Sequence, residues 1–162
     1  MFQENDVVQY GVDGVCRVTG TTVRTVRGQR IEYYVLQSLN QHTTVYVPTG
    51  SEQLVSRMRR LLSGSETLEL IRSMPDVETE WIDDDAKRQS TYEAILSGDD
   101  RGAIVMVIQT LYERKKQMAA LKRKMHAADE RLLHEAERRL YDEFAHALGI
   151  ELDDVLPFIF SQ

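Results

Sequence analysis

The sequence predicts an α+β protein in which a small β-barrel of the SH3 or Tudor type precedes a compact all-α domain. With 162 residues, 42% of them hydrophobic, the chain is long enough to bury a core. Up to about residue 50, β-branched and aromatic residues dominate and glycines separate them, whereas after Pro48 the apolar residues recur at helical spacing. We therefore expect a β domain at residues 1–50, a helical linker packed on it at residues 51–75, and an α-helical domain at residues 76–162.

Four runs of the first segment have the composition of strands: VVQYG, VCRVTGTTVRTV, IEYYVLQSL and TTVYVP. The RGQR segment at residues 27–30 predicts the tip of a hairpin between the second and third runs. The single cysteine, Cys16, lies in a strand-like run between Val15 and Val18, which predicts a buried and inert thiol.

Two short helices are expected in the linker. The apolar residues that predict the first share one helical face: Leu54, Met58, Leu61 and Leu62. Ser63 and Glu66 have the spacing of a capping box, which predicts a second helix that ends at Met74, before Pro75.

Three longer helices are expected in the last segment. The first begins at acids that suit a helix N-terminus, Asp83, Asp84 and Asp85, and runs to about Leu96. The SGDD segment at residues 97–100 separates it from the second, because Gly98 can adopt a left-handed cap and Asp99 or Asp100 can accept from free amides. The apolar stripe of the second helix consists of Ile104, Ile108, Leu111 and Tyr112.

The third helix is the longest. It runs from about Ala127 to Leu148, and Gly149 ends it. Its predicted inner face consists of Leu133, Ala136, Leu140, Phe144 and Ala147.

Charge is distributed unevenly along the chain. The net charge is -6, and residues 75–162 hold twelve basic and nineteen acidic residues. The segment RKKQMAALKRK at residues 114–124 nevertheless carries six cations and no acid, so it forms a local positive patch. Such a run is typical of a solvated helix end or of a surface that binds phosphate.

The chain contains one tryptophan, Trp81, within the acidic stretch DVETEWIDDD at residues 76–85. Six carboxylates surround it there, which disfavours a core-bound segment. The alternatives are a ring packed between domains and a ring held at a surface for a partner.

No catalytic or cofactor motif is found. HEAER at residues 134–138 lacks the second histidine of the zinc-hydrolase motif, because Arg138 stands there, and phosphate-loop, serine-hydrolase and CxxC motifs are absent. We therefore expect no enzyme, no metal, no cofactor and no small-molecule substrate. No run of 18 apolar residues or signal peptide is found, so we expect a cytoplasmic protein that contacts no membrane.

Several segments in order resemble the CarD (CdnL) family of bacterial transcription regulators. In the first half these are VVQYGVDGVCRV, GQRIEYYVL and TTVYVP; in the second half they are WIDDDAKRQSTYEAILSGD, IQTLYERKK and HAADERLLHEAERRLYDEFAHAL. The resemblance covers nearly the whole chain. It implies a Tudor-like first domain, shared with the transcription-repair coupling factor, which binds the β subunit of bacterial RNA polymerase by pairing strands.

By position, the resemblance assigns polymerase binding to Arg24, Thr44, Val45 and Tyr46. Arg24 matches a basic residue that faces polymerase, and the other three lie on the strand that would extend the polymerase sheet. Tyr46 departs from the pattern, since some members place arginine there. Without the resemblance, TTVYV would be read as an ordinary internal strand.

The family tryptophan matches Trp81 and implies a wedge in the minor groove of promoter DNA at the upstream edge of the transcription bubble. Contacts with the DNA phosphate backbone are predicted to support this wedge. The residues predicted to make them are Lys87, Arg88, Lys122, Arg123 and Lys124. The resemblance thus implies a polymerase-binding regulator that stabilises the promoter open complex without strong sequence specificity. The alternative is an interaction adaptor built on a Tudor-like barrel that does not bind DNA.

Overall fold

The computed structural model describes residues 1–39 and 41–162. The chain divides into two compact units, Met1–Leu61 (unit 1) and Leu62–Gln162 (unit 2). Unit 1 contains a β-sheet and unit 2 is helical, so the predicted α+β class is confirmed.

Unit 1 is built on a five-stranded antiparallel sheet. Its strands are β1 (Val7–Tyr10), β2 (Val15–Val26), β3 (Gln29–Ser38), β4 (Thr44–Pro48) and β5 (Met58–Arg60), and the short helix α1 (Glu52–Val55) precedes β5. The strand order is β4-β3-β2-β1-β5, which leaves β4 and β5 at the two edges. The sheet is therefore open, and closure into the predicted barrel is not shown.

The β2–β3 hairpin turns through Arg27 and Gly28, whose φ angles are 51° and 78°. Positive φ at both central residues is the geometry of a type I′ turn, whose twist matches that of the flanking strands. The predicted hairpin tip is thus confirmed.

The segment after β4 differs from the expected helix through Leu62. Helix α1 ends at Val55, and Met58 then pairs with Tyr10 in the antiparallel β1–β5 ladder. Met58 is buried against the sheet, while Arg59 and Arg60 are exposed. One buried apolar residue fits a helical face as well as a short strand, so periodicity could not distinguish them.

This pairing also places the boundary between units at Leu61/Leu62. The expected linker, residues 51–75, is divided: its first part completes the sheet of unit 1, and helix α2 (Gly64–Ser73) belongs to unit 2.

The core of unit 1 includes Cys16, which is fully buried. It packs with the other inward-facing residues of the strands: Val8, Val18, Tyr34, Leu36, Val47 and Met58. Burial raises the pKa of the Cys16 thiol to about 12, so the thiolate is scarce near neutral pH. The predicted inert thiol agrees with this environment.

Unit 2 is an all-α bundle. After α2 come α3 (Asp85–Ser97), α4 (Arg101–Ala120), α5 (Ala127–Leu148) and α6 (Leu152–Phe160). Helix α5 packs against α2, α3, α4 and α6 and therefore forms the centre of the unit. Its buried residues include four of the five predicted for its inner face, and Ala147 is partly buried.

The helix ends largely follow their capping residues. Ser63 and Glu66 form both hydrogen bonds of the predicted capping box, and Asp84 and Asp100 cap α3 and α4 by accepting from backbone N–H groups. Gly149 ends α5 with a φ of 68°. Gly98 was expected to be left-handed, but its φ is -83°; α3 ends there in extended backbone.

In the described part of the chain no helix is long and apolar enough to cross a membrane.

Candidate functional site: a sheet edge and a tryptophan cluster

Strand β4 presents backbone groups at the open edge of the sheet. The N–H of Ser38 donates to the carbonyl of Thr43, and the N–H of Thr49 donates to that of Glu32. Hydrogen-bonded pairs alternate along an antiparallel ladder, so Val45 and Val47 bond to β3 in the same register. The N–H and C=O groups of Thr44 and Tyr46 consequently face outward, and we call them the β4 edge.

The side chains of β4 alternate in the same way. Val47 is fully buried and Val45 is partly buried against the core, whereas Thr44 and Tyr46 are exposed. Val45 was predicted to contact polymerase, but its side chain packs into unit 1 and its backbone bonds to β3. A contact through this strand therefore depends on Thr44 and Tyr46.

Arg24 lies beside the β4 edge. Its guanidinium carbon is 4.1 Å from the centroid of the Tyr46 ring, and the ring of Tyr33 meets Tyr46 edge-on at 6.3 Å. The structure thus brings together Arg24 and Tyr46, which are 22 positions apart. The cation–π contact holds a positive charge over an aromatic ring on the exposed face of the sheet.

In unit 2 the segment before α3 is bound along α4. The N–H of Glu80 donates to Oγ1 of Thr110 at 3.0 Å, and the hydroxyl of Thr79 donates to Oε2 of Glu113 at 3.0 Å. Residues three and four positions apart share a helix face, so Arg114 lies on the same face as Thr110. These contacts place Trp81 over this face of α4.

The Trp81 ring lies between acidic and cationic groups. Its Nε1–H donates to Oδ1 of Asp83 at 3.0 Å. The guanidinium carbons of Arg88 and Arg114 lie 4.3 and 4.6 Å from the ring centroid. The ring is partly buried and packs against the core of unit 2. It is therefore neither a fully buried anchor nor a freely exposed side chain.

Arg88 was predicted to meet DNA phosphate, but it is 1% exposed. Nε and Nη2 donate to the two oxygens of Asp129, each at 2.9 Å, and Nη2 also donates to Asp85 at 2.8 Å. Burial opposes the charge of Arg88, yet the hydrogen bonds to Asp129 and Asp85 outweigh burial and raise its pKa. Arg88 thus joins α3 to α5 and supports the tryptophan from within, so it is unavailable to a phosphate.

Three of the six acids around Trp81 have structural functions. Asp83 accepts from the indole, Asp84 caps α3, and Asp85 pairs with Arg88. The hydrogen bond from Arg88 and its charge lower the pKa of Asp85. We call Trp81, Asp83, Arg88, Arg114 and Asp129 the Trp81 cluster.

The remaining predicted DNA contacts are exposed. Lys87 lies on α3, and Lys122, Arg123 and Lys124 form the loop that follows α4, here called the basic loop. The N–H groups of Arg123 and Lys122 donate to the carbonyls of Met118 and Ala119, which is the pattern of a Schellman motif. Lys122 occupies its left-handed position with a φ of 55°, where glycine is the usual residue.

The described residues contain no group of three or more His, Cys, Asp or Glu side chains that could hold a metal ion. In HEAER, His134 and Arg138 line an open groove on the outer side of α5.

Residues 2–61 match the family model described as the CarD-like/TRCF RID domain. Unit 1 is therefore similar to a CarD-like RID domain over nearly its whole length. No curated protein matches the chain.

The RID domain coincides with unit 1, so the match includes β5 as well as the strands that sequence analysis predicted. A RID domain interacts with RNA polymerase, which indicates a transcription-related function. Unit 2 lies outside the match.

Arg114 was not predicted as a site residue. The residue was visible in the basic run, but its position on the tryptophan depends on contacts between segments about 30 residues apart. The available signal was the four-residue spacing between Thr110 and Arg114, which places both on one face of α4. This spacing points to Trp81 only once Glu80 is known to bind Thr110.

Proposed function

We propose that this protein is a non-enzymatic regulator that binds RNA polymerase through its RID domain and stabilises the promoter open complex through unit 2. The observation that carries the proposal is the presence, in one chain, of a RID domain and of a tryptophan held among cationic side chains. It would act in the cytoplasm, on the nucleoid, together with polymerase.

The proposed polymerase contact is strand addition to the β subunit. The β4 edge offers two N–H and two C=O groups to an incoming strand, and main-chain hydrogen bonds supply affinity in this mode. The stacked Arg24 and Tyr46 lie beside that edge and would select the partner's side chains.

The proposed DNA contact is centred on Trp81. A partly exposed aromatic ring can fill the space beside an unstacked base step and so favour melted over closed DNA. Arg114 replaces Arg88 as the cation beside the ring that can reach a phosphate, because Arg88 is committed to Asp129 and Asp85.

The basic loop supplies the second proposed phosphate contact. Arg114 lies six residues before the end of α4, about 9 Å along the helix axis at about 1.5 Å per residue. One helix thus presents cations to a single stretch of DNA backbone, and Lys87 adds another from α3. Contacts to phosphate carry no base information, so we expect recognition of bubble geometry rather than sequence.

The second candidate function is an adaptor whose unit 2 binds a protein. The exposed carboxylates of Glu78, Asp83 and Asp84 favour it, because they repel phosphate. A steep salt dependence of promoter binding that requires the basic loop would separate the regulator from the adaptor.

The experiment that tests the wedge compares Trp81→Ala with Trp81→Phe. We expect Trp81→Ala to shorten the lifetime of the open promoter complex several-fold and to leave polymerase binding unchanged. Trp81→Phe keeps a ring beside the guanidiniums and should retain part of the lifetime. Both are measured by competitor-challenged open-complex decay.

Thermal and urea unfolding of the same variants provide the control. Because the ring is only partly buried, Trp81→Ala should cost less than the about 3–5 kcal/mol of a fully buried aromatic residue. An unchanged complex lifetime in a folded, polymerase-binding Trp81→Ala protein would refute the wedge.

A further inference from the structure

Helix α6 is apolar on two faces. On its inner face Val155 is fully buried, and Phe158 and Ile159 pack against the core of unit 2. These contacts attach α6 to its unit, in which it packs against α5. The outer face is not needed for that attachment.

The outer face of α6 carries three large apolar side chains. Leu152, Leu156 and Phe160 are 44%, 36% and 68% exposed. Their four-residue spacing places them in one row, about 12 Å long at about 1.5 Å per residue. A contiguous row of large exposed apolar side chains is typical of an interaction site, so this row is expected to be covered by a partner.

Charge restricts which partner can cover it. Glu151, Asp153 and Asp154 are exposed at the start of α6, and the helix contains no lysine or arginine. These carboxylates repel nucleic acid and anionic lipid. A symmetric pairing of two α6 helices would leave the acids of both copies without cations from the partner helix.

We propose that the outer face of α6 is a docking surface for a basic amphipathic helix of another protein. The partner presents apolar side chains at helical spacing to Leu152, Leu156 and Phe160, as helices do when they bind in a groove. Its lysines or arginines lie beside Glu151, Asp153 and Asp154, which set the orientation of the bound helix. The surface uses no residue of the β4 edge, the Trp81 cluster or the basic loop.

The test uses the full chain and two designed helical peptides of about 15 residues. Both carry leucines at positions i, i+3, i+4 and i+7; one carries lysines on its flanks and the other glutamates. We expect the lysine peptide to bind in fluorescence anisotropy, more weakly as salt rises, and the glutamate peptide not to bind.

Three variants locate the binding. Leu156→Ser/Phe160→Ser should lower the affinity for the lysine peptide by at least about tenfold, since central apolar contacts dominate such interfaces. Asp153→Asn/Asp154→Asn should weaken it and reduce its salt dependence. Leu121→Ser is the matched control, because Leu121 is 64% exposed but lies at the end of α4 and not on α6. This variant should bind the lysine peptide as tightly as the unaltered chain does.

Circular dichroism melting checks that each variant is folded, and Leu152→Ser replaces the double serine variant if that one melts early. The proposal is overturned if both peptides bind equally, if neither binds, or if the serine variants bind normally. It is also overturned if light scattering shows a dimer that the serine variants lose, since the occupant is then a second copy of the chain.

Discussion

At the scale of single residues, Arg88 shows that a charged side chain can belong to the interior. The side chains of Arg88 and Asp129 are each 2% exposed, and two hydrogen bonds join them. Removing one partner of a buried pair leaves the other charge without compensation.

We therefore expect Arg88→Ala to lower the free energy of unfolding by about 3–5 kcal/mol in urea titration. Trp81 fluorescence should shift at the same time, because the ring loses a guanidinium 4.3 Å away. Lys87→Ala is the control. Lys87 precedes Arg88 on α3 but is exposed, so this variant should change the free energy of unfolding by about 0.5 kcal/mol or less. A loss below about 1 kcal/mol for Arg88→Ala would contradict the buried network.

Lys122 illustrates a charge kept at a conformational cost. With a φ of 55° it occupies a position that glycine adopts without strain. We expect Lys122→Gly to raise the free energy of unfolding by about 0.5–1 kcal/mol and to weaken DNA binding.

Two variants separate strain from charge. Lys122→Ala removes the charge but keeps the strained backbone, so it should weaken DNA binding as Lys122→Gly does, without gaining stability. Lys124→Gly removes a charge where φ is not positive and should not stabilise the protein. Equal unfolding free energies for Lys122→Gly and Lys122→Ala would argue against strain at this position.

At the scale of elements, the register of β4 decides which residue can be altered without unfolding the domain. The N–H of Val45 bonds to β3, whereas the N–H of Thr44 faces the open edge. Proline removes a backbone donor at either position, with different consequences.

We expect Val45→Pro to destabilise unit 1 by about 3 kcal/mol or more, because it breaks the internal ladder. Thr44→Pro should melt close to the unaltered protein and still bind polymerase much more weakly, as measured by biolayer interferometry. Folded Thr44→Pro protein with normal polymerase binding would exclude strand addition at the β4 edge.

At the scale of the whole molecule, a net charge of -6 conceals a positive surface at the end of α4. In the proposed function, the small number of phosphate contacts implies weak DNA binding by the free protein, and bound polymerase would raise the effective concentration of unit 2 over DNA. The salt dependence of binding then reports the number of contacts.

We expect the full chain to bind forked DNA weakly, with an affinity that falls steeply as salt rises. Replacing Lys122, Arg123 and Lys124 by glutamine should reduce the slope of log K against log salt by about one unit per lost contact, without changing sequence preference. The titration is done by fluorescence anisotropy with and without polymerase. An unchanged slope in both conditions would favour the adaptor.

The sequence by itself determined the α+β class, most helix ends of unit 2, the β2–β3 turn and the buried cysteine. These features depend on local signals: capping residues such as Ser63 and Asp100, the left-handed Gly149, and the period of apolar residues. The resemblance to CarD proteins, carried by segments in order, also identified the domain that the family model matches at residues 2–61.

Only the tertiary structure decided the open sheet, the strand at Met58, the edge position of β4 and the environment of Trp81. Each depends on a partner distant in sequence: Met58 on Tyr10, Arg88 on Asp129, and Trp81 on Arg114. A charged residue in a sequence is expected to be exposed unless its partner in the fold is known. Arg88 was therefore wrongly predicted to contact phosphate, and Arg114 was not predicted to contact Trp81. Burial is a property of the folded chain, and local periodicity does not contain it.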